Sequence, residues 1–166
     1  MKEPALVIIK PDGMTKGLVG NILTKFVQPD LEIVGMRLVR PSRTLVEEHY
    51  KHIKRRLFFE ETVSYFLGRF HKEKKLLAIV YYGEDAIRRC RKIAGTTNPE
   101  EADPASIRGS YGRITTEGIY ENVVHVSSNK SEAQREIKLW FEPEDIVINL
   151  FRAKKVESAY RRRVWT

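Results

Sequence analysis

What the sequence lacks narrows it first. Cys90 is its only cysteine, so no disulfide can form within the chain. No apolar run is long enough to cross a bilayer, and no N-terminal stretch resembles a signal peptide, so the expectation is a soluble cytoplasmic protein with no membrane partner. A GxxxxGK[ST] element is missing, which excludes a P-loop from any nucleotide site. His49, His52, His71, His125 and Cys90 show no zinc-type spacing, so a metal site built by the protein is not expected. Internal repeats, low-complexity segments and Pro-rich linkers are also missing.

The 166 residues, 42% of them hydrophobic, suit one ordinary domain. Positive charge is in excess, at a formal +8, and points to an anionic partner without separating nucleotides from nucleic acids. Its placement says more. From Arg152 to Thr166 there are six Lys or Arg and one Glu, which supply +5 of the +8. The chain therefore reads as a domain over residues 1–150 followed by a basic C-terminal tail over 151–166. The aromatic-rich motifs of an RNA-recognition module are absent, so nucleic acid is an unlikely partner.

Apolar periodicity gives the elements. Ala5 to Ile9 is a short run of buried-strand type, ended by the turn residues Lys10-Pro11-Asp12-Gly13. Leu18, Val19, Ile22, Leu23, Phe26 and Val27 recur at helical spacing until Pro29-Asp30. Leu31 to Val39 alternates as a second strand, with Val34, Met36 and Leu38 on one face. A helix from about Thr44 to Ile53 carries His49 and Tyr50, and an aromatic helical stretch holds Phe58, Phe59 and Phe66. Leu76 to Tyr82 is a third strand, followed by a helix over about Glu84 to Ile93 and a long loop. Val123 to Val126 is the fourth strand, and Ser131 has capping-box spacing to Gln134 at the start of a final helix. This βαββαβ order predicts an α/β (α+β) ferredoxin-like sandwich, a four-stranded antiparallel sheet with helices on one side.

His125 stands at the end of the fourth strand. Alone, such a histidine is as well explained by core packing, but around it the sequence supplies a cation (Arg108), an amide (Asn122), a hydroxyl (Ser127) and a carboxylate (Glu136). These are the groups needed to bind an anion and orient an imidazole.

Asn122-x-x-His125-x-Ser127, then Glu136 on a helix ending Leu139-Trp140-Phe141-x-Pro143-Glu144, resembles the signature of nucleoside diphosphate kinases. Ile8-Ile9-Lys10-Pro11-Asp12-Gly13, Lys16-Gly17-Leu18-Val19-Gly20, His49-Tyr50, Phe58-Phe59, Gly95-x-Thr97-Asn98-Pro99 and Ile107-Arg108-Gly109 follow that family's order, so the resemblance spans about residues 5 to 147. It implies ping-pong transfer of the γ-phosphate of a nucleoside triphosphate to a nucleoside diphosphate through phosphohistidine at His125. Ser127 and Glu136 would hold the ring. Lys10, Tyr50, Arg91, Thr97 and Arg108 would face the phosphates, Lys10 and Asn122 the sugar, and Phe58 the base. Phe59 and Phe66 suit core packing as well as a base face. Mg²⁺ would enter with the nucleotide, and a homo-oligomer is implied, a hexamer first, with tetramer or dimer as alternatives.

Four departures from the family accompany this. Leu57 stands where the family often has proline. Val126 replaces a small residue, and its β-branch is expected to alter the backbone near His125. Ser128 replaces an aspartate and would serve as a helix N-cap. Residues 110–121 form a connection a few residues longer than usual. Val126 and Ser128 support the alternative reading of a catalytically impaired nucleotide-binding or scaffold relative, whereas the change at Leu57 is expected to matter little and the longer connection bears on assembly.

Overall fold

The computed structural model describes residues 1–155. β1 (Lys2–Ile9) leads into α1 (Pro11–Thr15) and α2 (Val19–Lys25), and β2 (Leu31–Val39) into α3 (Arg43–His49), a 3₁₀ turn (Lys51–Ile53) and α4 (Phe59–Phe66). β3 (Leu76–Glu84) is followed by α5 (Ala86–Ala94), then α6 (Ile107–Tyr111), the short strands β4 (Arg113–Ile114) and β5 (Tyr120–Glu121), β6 (Val124–Val126) and α7 (Lys130–Trp140). The main sheet runs β2-β3-β1-β6 with every pair antiparallel. β4 and β5 form a separate two-stranded ribbon. With that ribbon set aside, the order is the ferredoxin-like βαββαβ sandwich.

Helices cover both faces of the sheet, not the one face expected. Ala5 to Ile9 are all fully buried. Ala5, Val7 and Ile9 pack with Ile22 and Phe26 of α2 and Ile87 and Cys90 of α5, while Leu6 and Ile8 pack with Val46, Val63, Phe66, Ile137 and Trp140. A continuous apolar strand has two faces to bury, and each needs its own layer. Phe59 and Phe66 are buried in the second of these cores.

β2 departs from simple alternation. Ile33 lies opposite Tyr81 and Gly35 opposite Val80, so Val34 is the extra residue of a bulge. Val34 is therefore turned inward, whereas Met36 and Leu38, expected on the same face, are 43% and 61% exposed on an edge strand. α2 closes at Lys25 and leaves Val27 exposed. The helix expected over Thr44 to Ile53 is α-helical only to His49 and then tightens to a 3₁₀ turn, which sets His49 and Tyr50 at its end.

The start of α7 is also corrected. Asn129, not Ser131 or Ser128, is the N-cap, its Oδ1 accepting from the Glu132 N–H at 3.0 Å. Ser131 already lies within the helix. Packing continues past residue 150, where Phe151 lies against the second core and under the Lys138 ammonium, 5.0 Å from its ring centre. The expected basic tail is described only as far as Lys155, and its remainder lies outside the described residues.

Candidate active site

β6 is three residues long and pairs with β1 through Val7–Val126, Ile8–His125 and Ile9–Val124. Its flanking valines are buried on either side of His125, whose side chain keeps 15% exposure. Ser127 leaves the strand with its Oγ accepting from the Leu6 N–H at 3.2 Å and donating to Glu136 Oε2 at 2.5 Å. The other carboxylate oxygen, Oε1, lies 3.1 Å from His125 Nε2. One buried carboxylate on α7 thus ties the strand and the imidazole together.

Burial pushes the Glu136 carboxyl upward, but the charge and hydrogen bond of His125 and the Ser127 hydroxyl outweigh it and hold it below the ordinary value. An ionised carboxylate only accepts, so His125 Nε2 carries the proton and Nδ1 bears the lone pair. His49, fully buried, stands edge-on to His125 with ring centres 4.4 Å apart. The Trp140 indole N–H donates to His49 Nδ1 at 3.1 Å, which leaves the proton of His49 on Nε2, 4.0 Å from Glu136 Oε1. Burial, with the charge of His125 next, drives His49 well below its usual value and keeps it neutral. His49, His125 and Glu136 have ligand-capable atoms within 4.8 Å of one another. Both imidazole nitrogens facing the carboxylate carry protons, which is the arrangement of a proton network rather than of metal ligands.

Tyr50 closes the wall, its ring edge-on to His125 at 6.2 Å, and burial raises its phenol well above the ordinary value, so it stays a neutral donor. Val126 sits in the strand with ordinary backbone angles. The strained residue is Val123, with φ at +67°, a conformation that costs a β-branched side chain about 1–3 kcal/mol. It is held by its N–H on Asp12 Oδ2 at 2.9 Å and by its carbonyl, which accepts from the Lys10 N–H at 2.9 Å.

That strained turn aims a group of cations. Lys10 Nζ donates to Asn122 Oδ1 at 2.5 Å, and Asn122 Nδ2 donates to the Thr97 carbonyl at 2.9 Å. Arg108 donates to the carbonyls of Gly95 and Val124, both at 2.8 Å, the second being the residue before His125. Gly95 has φ at +87°, and a Cβ there would lie 2.3 Å from Ser106 Oγ, so the turn that presents its carbonyl requires glycine. Burial and then Arg108 bring Lys10 down to about 7, while burial and the charge of Arg91 bring Arg108 down to about 10. Such crowding of like charge is relieved by an anion.

Of the residues read from sequence, His125, Ser127 and Glu136 form one network, and Lys10, Asn122, Arg108 and the Thr97 backbone form a second beside it. Tyr50 joins the first. Arg91, the Thr97 hydroxyl and Phe58 are exposed and bond to none of these through side chains among the described residues. His49, Asp12 and Trp140 received no role from sequence. Their signal was present only as neighbours, His49 beside Tyr50 and Asp12 two residues after Lys10.

Comparison with known proteins follows this geometry. The family model described as nucleoside diphosphate kinase matches residues 3–146. A nucleoside diphosphate kinase of Pyrococcus furiosus is 42% identical over 87% of this chain and 86% of its own length. The solved structure of the Aquifex aeolicus nucleoside diphosphate kinase superposes with a TM-score of 0.79 at 37% identity, covering 89% of this chain and 100% of that one. A Borrelia burgdorferi nucleoside-diphosphate kinase, described as a transition state mimic with bound vanadate and ADP, superposes with a TM-score of 0.77 at 27% identity over 93% of each chain.

Proposed function

The chain belongs to the nucleoside diphosphate kinase family, and we propose that its phosphotransfer from nucleoside triphosphate to nucleoside diphosphate runs through His125 in two steps. The Nδ1 lone pair attacks the γ-phosphorus, the bond to the bridging oxygen breaks, and the nucleoside diphosphate leaves with that electron pair. A terminal oxygen of a second diphosphate then attacks the same phosphorus and breaks the P–N bond, restoring the imidazole. As Nδ1 gives up its electron pair, positive charge grows on the ring, and Glu136 at Nε2 stabilises it. Ser127 keeps that carboxylate in place. The observation that carries this reading is the His125–Glu136–Ser127 network with Nδ1 free and mutually repelling cations alongside.

Lys10, Arg108, Arg91 and Thr97 bind the phosphates, with Tyr50 donating near the transferred group. Lys10 and Asn122 contact the sugar hydroxyl, and Phe58 offers a ring face to the base. Mg²⁺ would come with the nucleotide and would supply charge neutralisation on its phosphates, beside Lys10, Arg91 and Arg108. The residues fit that role, since the buried carboxylates among the described residues are already engaged, Glu136 by His125, Asp12 through Oδ2 by the Val123 N–H, and Glu121 by Lys16 and Arg113. No observation favours the scaffold alternative.

The protein is placed in the cytoplasm and assembles as a homo-oligomer built from dimers, a hexamer first and a tetramer or dimer as the other outcomes. Support for the dimer comes from β2, an edge strand that exposes Ile33, Met36 and Leu38. We assign the catalytic domain to residues 1–150 and the basic segment to 151–166, with Phe151 still packed against the domain's second core.

Incubation with γ-labelled ATP tests the mechanism. The protein takes up acid-labile phosphate, His125→Ala takes up none, and both labelling and transfer to GDP vanish together. Wild-type protein that binds ATP and transfers phosphate without becoming labelled refutes the covalent step.

A further inference from the structure

The connection between α6 and β6, read from the sequence as longer than usual, ends in a buried carboxylate. Glu121, the last residue of β5, is 4% exposed. Its Oε2 lies 2.9 Å from Lys16 Nζ and 2.6 Å from Arg113 Nε, and its Oε1 lies 3.5 Å from His71 Nδ1. The three partners belong to separate segments: the end of α1, the loop before β3, and β4 of its own ribbon. Lys16 Nζ also reaches the Tyr111 carbonyl at 3.4 Å, so the ribbon is tied at its base as well. At Gly112 a Cβ would meet the Arg108 carbonyl and Pro99 Cβ, each at 2.6 Å, so the ribbon starts in close contact with the segment that carries Arg108. The residue after Glu121 is Asn122, whose Oδ1 takes the Lys10 ammonium and whose Nδ2 holds the Thr97 carbonyl.

We propose that Glu121 is a positioning residue: by closing the β4–β5 ribbon through Arg113 and fastening it to Lys16, with His71 beside it, Glu121 fixes the Lys10–Asn122 pair for recognition of the sugar hydroxyl. The inference rests on the assignment of that pair to the sugar. Burial alone would raise the Glu121 carboxyl, but hydrogen bonds from Arg113 and Lys16 hold it at about 2, so the anchor is charged at any pH where the protein works. Among the described residues the Asn122 side chain bonds only to Lys10 and the Thr97 carbonyl, and Val123 beside it is already strained. A ribbon free to shift would carry Asn122 with it and leave Lys10 without a fixed partner.

Phosphorylated protein is mixed with GDP or with 2′,3′-dideoxy-GDP, and the efficiency of discharge is measured for wild type, Glu121→Gln, Glu121→Asp and Arg113→Met. The wild type prefers GDP. In Glu121→Gln that preference falls about tenfold, since a site built to hydrogen-bond a hydroxyl loses discrimination when its donors move. Glu121→Asp restores part of it, and Arg113→Met, which removes one exposed partner and serves if Glu121→Gln fails to fold, gives a smaller fall. A merely structural role lowers the folded fraction, scales both acceptors alike and leaves the ratio unchanged. An unchanged ratio in the variants overturns the proposal. A wild type that discharges equally onto both acceptors removes the sugar assignment and the proposal together, whereas a wild type that never takes label fails at the covalent step instead.

Discussion

At the scale of single residues, the site works through one carboxylate shared between a hydroxyl and an imidazole. Glu136→Gln keeps the shape but presents an amide to His125 Nε2, so the preferred tautomer and the stabilisation of the ring's developing charge are both weakened. The rate of His125 labelling by ATP should fall about a hundredfold in rapid-quench measurements, within the range usual for such support. A variant that labels at the wild-type rate would show that Ser127 and His49 suffice to orient the ring. Lys10 gives a second prediction, this time in pH. Its ammonium sits at about 7 in the free protein. Phosphate oxygens favour its charged form and raise that value in the complex, so between the two values binding takes up a proton and affinity weakens as pH rises above about 7. Calorimetry at about pH 8 in buffers of different ionisation enthalpy should detect that uptake, and Lys10→Met should abolish it. Nucleotide binding with no proton exchange in the wild type would mean that Lys10 does not face the phosphates.

The elements show where local rules held and where packing overruled them. α7 begins at Asn129, and its cap matters because the helix carries Glu136 less than two turns later. Asn129→Ala should cost about 1 kcal/mol. In a chain of this size that lowers the melting temperature by roughly 2–4 °C. Ser128→Ala and Ser131→Ala should each stay within about 0.5 kcal/mol, because neither hydroxyl caps the helix. Equal losses at all three positions would place the helix start elsewhere. A capping box was legible in the spacing of Ser131 and Gln134, yet the cap falls two residues earlier, since Asn129 offers the same acceptor geometry from an extended backbone. In β2 the alternation of Val34, Met36 and Leu38 was equally clear, and a bulge of one residue separated them. Nothing local marks that bulge, which is set by how β2 meets β3.

For the whole molecule, the consequence of that bulge is an apolar edge. Ile33, Met36 and Leu38 lie exposed on an edge strand whose middle is met by the 146–147 segment, through the Gly35–Ile146 bridge and the Val147 N–H on the Val34 carbonyl, and a second copy packed on these apolar side chains is a self-complementary partner. Leu38→Glu should lower the mass in light scattering from an oligomer to smaller species without changing the secondary structure seen by circular dichroism. An unchanged mass would send the dimer contact to another surface. Broad tolerance of the base belongs to the same scale, because the proposed base face is the exposed ring of Phe58, on which any base can stack. Transfer to ADP, GDP, CDP and UDP should differ modestly. A preference above about a thousandfold would require polar readout of the base that these residues do not supply.

The sequence by itself determined the element order, the antiparallel sandwich and the family, because apolar periodicity and short motifs in a fixed order are properties of neighbours along the chain. It also named His125, Ser127, Glu136, Asn122 and Arg108, whose types already suited an anion and an imidazole, and Lys10 through the family resemblance. What only the tertiary structure decided concerns residues distant in sequence. It put Trp140 against His49 and Glu136 against His125 and so assigned the ring nitrogens, and it turned Val123 into a strained residue held by Asp12. It also covered both faces of β1 and joined Glu121 to three separate segments. Each of those outcomes depends on a contact across many residues, where burial removes water and makes a single hydrogen bond or charge decisive.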